Sequence, residues 1–247
     1  MALISAPKFV SWISGVAALT VCATLQAGSL PNENAAEWSL SKTAGDIRIY
    51  TIEQPGSSFK AFKAVALMDV PIENLMAVMI DPTSCVAWVH GCTESYGFGE
   101  GTFGDRYAYS VNDMPWPVTD RDYVLHIQTE GNRASGEVVM HLNAVPEHRE
   151  EFDRYVRVDR SDTVYRFIPE GRQTRMIWLQ HTDPNGALPG WLVNSLLVDI
   201  PVKSLESLEQ VAQRPQYQNH DLIYDPQGQL TGVRLLQSGD DGGDSNR

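Results

Sequence analysis

The stretch PWPVTDRDYV, residues 115–124, brings a tryptophan between two prolines to the start of a strand. Proline fixes φ and biases the residue before it away from the helical region, so these prolines predict an extended segment. Neighbouring strand residues point to opposite faces, so Arg121 and Asp122 cannot both face one site. We therefore expect them to be two separate structural anchors. Trp116 would plug one end of a sheet or line the mouth of a cavity, and plain core packing is an equally good interpretation.

The region around this stretch alternates apolar and polar residues, as half-buried strands do. Apolar side chains recur at every second position in YVLHI (123–127) and in VVMHL (138–142). Glycine, asparagine, aspartate and proline separate such segments at short intervals, which predicts an antiparallel meander with one apolar face. A long helix with an apolar stripe follows over residues 189–213. One sheet packed on one long helix is an α+β arrangement, and a helix lying across a curved sheet can enclose a cavity.

Shorter elements precede the β-rich region. AAEWSLSKTAGD (35–46) predicts a short helix that ends at its glycine, and IRIYTI (47–52) and FKAFKAVALMDV (59–70) predict two strands. PIENLMAVMID (71–81) predicts a helix, and SCVAWVHGC (84–92) predicts a further helical turn.

Cys85 and Cys92 are the two cysteines that follow the N-terminal segment. In an exported protein such a pair favours a disulfide. A continuous helix would hold the two residues too far apart, at a rise of ~1.5 Å per residue. Gly91 can end that helix, which makes a bridge feasible. Two buried free thiols are the alternative.

The chain divides into three parts. Residues 1–27 are small and apolar with one charge, which predicts a signal peptide, and hence an exported protein that is periplasmic or secreted. An uncleaved anchor, or a lipoprotein acylated on Cys22, are the alternatives. Residues 28–213 form the main domain. Residues 214–247 form a C-terminal extension, with a possible hairpin over 222–236 and then a disordered acidic tail.

Charge excludes some partners. The chain has 19 Lys and Arg against 31 Asp and Glu, a formal net charge of −12. Such a surface repels phosphate backbones, so nucleic-acid binding is not expected. The same surplus of acidic residues leaves no basic patch for anionic lipid headgroups.

Four segments, in order, resemble the START domain, the lipid-transfer branch of the helix-grip superfamily. They are the helix before Asp81 with the Trp88 segment, the PWPVTDRDYV stretch, WLQHTDPNGALP (178–189), and the helix GALPGWLVNSLL (186–197) with its continuation SLESL. Together they cover about residues 35–213, and with the signal segment they indicate a bacterial exported type.

The resemblance implies a helix-grip fold, in which a curved antiparallel sheet wraps around the long C-terminal helix and encloses a hydrophobic cavity. It implies one hydrophobic ligand, a lipid such as a sterol or a phospholipid, carried or transferred with transient membrane contact. No cofactor and no catalysis are expected, and the oligomeric state stays open with a monomer favoured. Sterol-binding members resemble one another in a cavity arginine paired with an acid. Here Ile127 takes the arginine's place and the preceding strand offers Tyr107, Ala108 or Tyr109, so a more apolar ligand, or one held through Tyr, His or Gln, fits as well.

The segment GALPGW (186–191) is a candidate gate, with Trp191 at a membrane interface; an ordinary loop with Trp191 in the core is the alternative. The residues that we expect to line the cavity or its gate are Tyr109, Trp116, Tyr123, Leu125, Ile127, Met140, Trp178, Trp191, Leu192 and Leu196.

Two other classes of protein share such a fold. A helix-grip enzyme acting on a hydrophobic molecule such as a polyketide would use Tyr109, His126 or Asp122 as acid or base. A passive interaction module would fill its cavity with its own side chains. His126, His141 and His181 lie on different strands, but no metal-ligand spacing such as HExxH occurs, so no metal site is expected.

Overall fold

The computed structural model describes residues 30–186, 188 and 190–236; of residues 190, 191 and 194–196 it describes the backbone only. Within these residues ten strands form one sheet and two more form a hairpin. The strands are β1 (Ser39–Ala44), β2 (Ile47–Ile52), β3 (Ala61–Met68), β4 (Cys92–Phe98), β5 (Asp105–Asn112), β6 (Arg121–Gly131), β7 (Val138–Ala144), β8 (Val156–Arg157), β9 (Arg160–Glu170), β10 (Gln173–Asp183), β11 (His220–Tyr224) and β12 (Leu230–Leu235). The helices are α1 (Ile72–Ile80), α2 (Cys85–Trp88) and α3 (Gly190–Ala212). The predicted signal peptide and acidic tail lie outside the described residues.

The sheet runs in the order β1-β2-β3-β10-β9-β7-β6-β5-β4, and every pair along this path is antiparallel. The two-residue strand β8 lies off the path and pairs in parallel with the start of β6. From β4 to β10 successive strands of this path are neighbours, as the meandering pattern predicts, whereas residues 69–91, with α1 and α2, carry the chain from β3 to the far edge strand β4. It leaves β1 and β4 at the two edges.

Helix α3 lies across the sheet. It packs on β1, β2 and β3, and also contacts α1 and α2. Leu205, Leu208 and Val211 on its inner face are buried in the same core as residues of β3, β7, β9 and β10. This face is the apolar stripe visible in the sequence, and its burial holds the helix against the sheet. The α+β helix-grip fold class is therefore confirmed. No helix in the described part of the chain combines the length and apolarity needed to cross a bilayer.

Residues 35–46 correct the sequence prediction. They form strand β1 and a turn, not a short helix. Leu40 and Thr43 pair with residues of β2, and Gly45 makes the tight turn between the strands with φ of +55°. A helix this short is marginal by itself, whereas a strand gains backbone hydrogen bonds from its neighbour. Pairing with β2 therefore overrides the local preference of this segment for a helix.

The segment 84–92 places its two cysteines together. Helix α2 ends at Trp88, and Gly91 turns the chain with φ of +89° before β4 begins. Cys85 and Cys92 form a disulfide across this turn, with their Cα atoms 6.0 Å apart. The bridge ties α2 to the edge strand β4.

The C-terminal extension contains a hairpin, β11 and β12, that turns through residues 225–228. The hairpin packs on α1. Leu222 and Leu230 are buried in the same core cluster as the sheet and α3. The packed core thus continues past residue 213, where the sequence suggested that the main domain ends.

Candidate functional site

A cavity of about 200 Å³ lies between the sheet and the three helices. Strands β5, β6, β7, β9 and β10 supply most of its wall. Met79 of α1, Trp88 of α2 and Ile200 of α3 close it on the helical side. The cavity therefore occupies the space that the helix-grip resemblance implies.

Five of the predicted residues line this cavity: Tyr123, Leu125, Ile127, Met140 and Trp178. The first three share one parity on β6, so the alternation of the strand turns them all inward. Leu142 of β7 lies opposite Ile127 in the register and also faces inward.

Tyr109 lies elsewhere. Ala108 and Ser110 face the cavity, so Tyr109 between them points to the outer face of the sheet. There it is buried with Val111, and its hydroxyl donates to Asp122 Oδ2 at 3.0 Å. The prediction that Tyr109 lines the cavity is therefore wrong, because its neighbours on β5 are the residues that face inward.

Trp116 also lies outside the cavity, with 93% of its side chain surface exposed. Its peptide bond to Pro117 is cis. Trp116, Leu188 and Leu192 line a separate outer groove beside the start of α3. This exposure contradicts the plug and core interpretations of Trp116, and neither Trp116 nor Leu192 lines the cavity.

The structure describes only the backbone of two residues that the sequence predicts at the cavity or its gate. Trp191 and Leu196 belong to helix α3, but their side chains lie outside the described part of the structure.

Three aromatic rings form much of the apolar wall, and the sequence prediction named only one of them, Trp178. Trp88, Tyr165 and Trp178 meet edge to face, with ring centroids 5.3–6.1 Å apart. The parity of TVYRF in β9 marks Tyr165 as inward-facing, which is the signal that could have found it. Burial raises the pKa of Tyr165, and it raises the pKa of Tyr123 to about 12 against the opposing effect of the Arg121 guanidinium. Both phenols are therefore neutral at physiological pH.

The remaining wall is polar. Ser110 and Tyr123 lie opposite each other on β5 and β6, and Ser161, Thr163 and Gln180 lie on β9 and β10. We call these five residues the polar patch. They occupy inward-facing positions on β5, β6, β9 and β10, and Tyr123 is the one among them that the sequence prediction named.

Asp81 is the charged residue among those that line the cavity. Its carboxylate accepts hydrogen bonds from the hydroxyl of Thr83 at 2.7 Å and from the hydroxyl of Tyr217 at 2.7 Å. Burial opposes ionisation of this group, but these hydrogen bonds outweigh it and hold the pKa of Asp81 below its usual value. The group is therefore ionised at neutral pH.

Arg121 anchors a loop. The residue is 3% exposed, and its guanidinium donates to the main-chain carbonyls of Pro184 at 3.2 Å and Asn185 at 3.0 Å, and to that of Thr119. These contacts tie the start of β6 to the loop that leads from β10 to α3. The side chain therefore holds the approach to the helix in place.

Asp122 points the other way and forms a buried ion pair. Its two carboxylate oxygens accept from Arg157 Nε at 3.0 Å and Nη2 at 2.9 Å, and the two residues are 1% and 4% exposed. Arg157 also donates to the carbonyls of Pro146, Arg149 and Glu150, so its charge is well matched. Arg121 and Asp122 thus serve opposite faces of the sheet.

The proposed acid and base groups do not lie at the cavity. Tyr109 and Asp122 bond each other on the outer face, and His126 Nε2 lies 2.9 Å from Asp105 Oδ1 while its ring stacks on Tyr107. None of the three lines the cavity. Among the described residues, no group of three or more His, Cys, Asp and Glu could hold a metal ion, and His126, His141 and His181 do not form one.

Comparison with known proteins identifies the family. A family model described as the START domain matches residues 19–216, most of the chain. The chain belongs to the START domain family.

Relatives and solved structures agree with this assignment. The uncharacterized protein PA1579 of Pseudomonas aeruginosa is 33% identical over 202 residues, which cover 81% of this chain and 98% of that protein. The phosphatidylcholine transfer protein of Rattus norvegicus is 28% identical over 180 residues, covering 70% and 81% of the two chains. The crystal structure of a STAR-related lipid transfer protein fragment from Xanthomonas axonopodis has a TM-score of 0.67 at 25% identity and covers 72% of this chain and 99% of its own.

The Asp122–Arg157 pair yields a stability prediction. Asp122→Ala leaves a buried guanidinium without its counterion, so we expect a loss of ~3–5 kcal/mol in the free energy of unfolding. Urea unfolding followed by circular dichroism measures this loss. Asp221→Ala removes the exposed ion pair with Arg234 and should leave the unfolding midpoint nearly unchanged. Equal effects of the two substitutions would contradict the assignment of Asp122 as an anchor.

Proposed function

We propose that the protein binds a single lipid in its cavity and carries it between membranes. The observation that carries the proposal is the largely apolar cavity between the sheet and α3, in a chain of the START domain family. Two relatives named as lipid transfer proteins, from rat and from Xanthomonas axonopodis, support the same function.

A lipid needs a carrier because its apolar chain is costly to expose to water. Each exposed CH₂ group costs ~0.8 kcal/mol in water, so a chain of about 16 such groups costs on the order of 13 kcal/mol. A wall of Trp88, Leu142, Tyr165 and Trp178 removes most of that cost. Because the hydrophobic effect is non-directional, such a wall supplies affinity and little selectivity.

The cavity volume implies that loading moves the walls. Sites for drug-sized ligands measure about 300–1,000 Å³, and the cavity of about 200 Å³ is smaller than that range. The helix α3 covers the sheet as a lid, and the loop before it is held at its base by Arg121. We propose that a shift of α3 and this loop enlarges the cavity when lipid enters.

An enzymatic function has less support. Its candidate acid and base groups Tyr109, Asp122 and His126 face away from the cavity. Tyr123 and Tyr165, which do face it, have a raised pKa and therefore do not supply a phenolate base at neutral pH. We therefore favour carriage over catalysis.

The outer groove at Trp116 is the surface that we assign to membrane contact. An exposed indole flanked by prolines lies beside Leu188 and Leu192, next to the start of the lid helix. Indole rings partition well into the membrane interface, and contact there would bring a lipid to the lid. Because the chain carries a net charge of −12, apolar contact rather than attraction to anionic lipid must supply the binding.

We further propose that the protein is exported, to the periplasm or beyond, under the direction of residues 1–27. The disulfide between Cys85 and Cys92 supports this location, since disulfides persist mainly in oxidising compartments.

Filling the cavity should abolish lipid binding. Ala108 lines the cavity, and Ala108→Trp would place an indole in the space that a lipid needs. We expect the loss of co-purifying lipid in native mass spectrometry, with the fold retained by circular dichroism. The matched control is Ala36→Trp at an exposed position. If a folded Ala108→Trp protein binds lipid as the unsubstituted protein does, ligand binding in this cavity is refuted.

Removing the exposed indole should slow transfer without weakening binding. For Trp116→Ala we expect about a 10-fold lower rate of fluorescent lipid transfer between zwitterionic vesicles, from the loss of buried indole area. Equilibrium lipid binding should not change, because Trp116 lies outside the cavity. The control Leu40→Ala removes another exposed apolar side chain, on edge strand β1. An unchanged transfer rate would exclude Trp116 as the membrane contact.

Export predicts a processed N-terminus. Expressed in a Gram-negative host with a C-terminal tag, the protein should lose residues 1–23 or 1–27 and appear in the periplasmic fraction. Mass spectrometry of the intact protein measures the cleavage. An acylated Cys22 would establish the lipoprotein alternative, and a cytoplasmic protein that starts at Met1 would contradict export.

A further inference from the structure

The polar patch occupies one end of the cavity. On each of its four strands, the polar side chain lies nearer than the apolar one to the loop that contains Trp116 or to the loop between β10 and α3 that Arg121 binds, which we call the lid loop. Ser110 follows Ala108 toward the Trp116 loop on β5, and Gln180 follows Trp178 toward the lid loop on β10. On these four strands the wall is therefore polar toward the two loops and apolar away from them, while Asp81 and Ser84 line the cavity from the segment between α1 and α2.

Three members of the patch have hydrogen-bonding capacity to spare. Ser161 bonds Thr182 at 2.8 Å, and Gln180 accepts from Trp178 and donates to Thr182. Within the described residues, the hydroxyls of Ser110, Tyr123 and Thr163 form no hydrogen bond with the protein, although each faces the cavity. A ligand that displaces water from the cavity would bury these hydroxyls, and because buried polar groups without partners are costly, a ligand group that pairs with them gains affinity.

Cationic side chains are directed away from the patch. Arg106 donates to the carbonyl of Phe103 and the hydroxyl of Thr129, and Arg121 donates to main-chain carbonyls at the loop. Neither guanidinium lines the cavity, whereas the ionised Asp81 does. A phosphate placed here would lose its hydration, and the guanidinium of Arg121, which acts electrostatically on Tyr123, already donates to three main-chain carbonyls, so the phosphate charge would be poorly compensated.

We infer that the cavity selects a lipid whose polar group is uncharged, with hydroxyl or carbonyl oxygens that meet Ser110, Tyr123 and Thr163, over a lipid that bears phosphate. The inference rests on the proposed function and names its substrate class. It also gives the ligand an orientation, with the apolar chain toward Met140 and Trp178 and the polar group toward the lid loop.

A lipid pair that differs only in phosphate tests this selectivity. The full chain is incubated with phosphatidylcholine vesicles that contain dioleoylglycerol and dioleoyl phosphatidic acid at equal mole fractions, then re-isolated, and its lipid is measured by mass spectrometry. We expect dioleoylglycerol to be captured at least ~10-fold more than phosphatidic acid, because no cationic side chain among the described residues that line the cavity compensates the phosphate charge. Equal or greater capture of phosphatidic acid or phosphatidylcholine overturns the inference and leaves lipid carriage intact. Capture of no lipid at all refutes the proposed function itself.

Two conservative variants assign the selectivity to the patch. Tyr123→Phe and Thr163→Val each remove one hydroxyl, and we expect each to lower capture of dioleoylglycerol about 5-fold while capture of phosphatidic acid stays the same. Tyr107→Phe is the matched control, since Tyr107 stacks on His126 on the outer face of the sheet. Melting curves establish that the variants fold. Unchanged preference in folded Tyr123→Phe and Thr163→Val proteins would contradict recognition by these hydroxyls.

Discussion

A slip of strand β6 by one residue would turn Tyr123, Leu125 and Ile127 out of the cavity and bring Asp122 and Val124 into it, because side chains alternate between the two faces. The buried pair of Asp122 and Arg157 opposes that slip, since the carboxylate meets its counterion only on the outer face. Arg121 holds the same strand from the inner side through carbonyls of the lid loop. The composition of the cavity wall depends on this fixed register.

Arg121 also joins the sheet to the segment that leads into α3. Arg121 begins β6, and the carbonyls that it binds belong to Pro184 and Asn185, at the end of β10. One side chain thus connects a wall of the cavity to the segment that precedes α3. The wall behind α2 is fixed differently, by the covalent bridge to β4. When lipid enlarges the cavity, the wall at α2 is therefore held by a covalent bond, whereas the wall at α3 is held by noncovalent contacts.

Alternation made the inner face of β6 and β7 predictable from sequence, because YVLHI and VVMHL show a single apolar parity. Strand β5 offered no such guide. In DRYAYSVN, Tyr107, Tyr109 and Val111 form the larger series and face outward, while the small residues Ala108 and Ser110 face the cavity. A wall that leaves room for a ligand uses small side chains, so the bulkiest series on this strand marks the wrong face. The exposure of Trp116 and the partnership of Asp122 with Arg157 depend on loop conformation and on chain segments far apart, which local patterns do not encode.

The hairpin of β11 and β12 bears on where the folded unit ends. The family model stops at residue 216, yet Leu222 and Leu230 beyond it are buried against α1 in the main core. An expression fragment cut at the family boundary would expose the apolar surface of α1 that these leucines cover, and exposed apolar patches favour aggregation. The hairpin of β11 and β12, although it lies beyond the residues that the family model matches, therefore covers apolar surface of the main core. A recombinant form of this protein should include it.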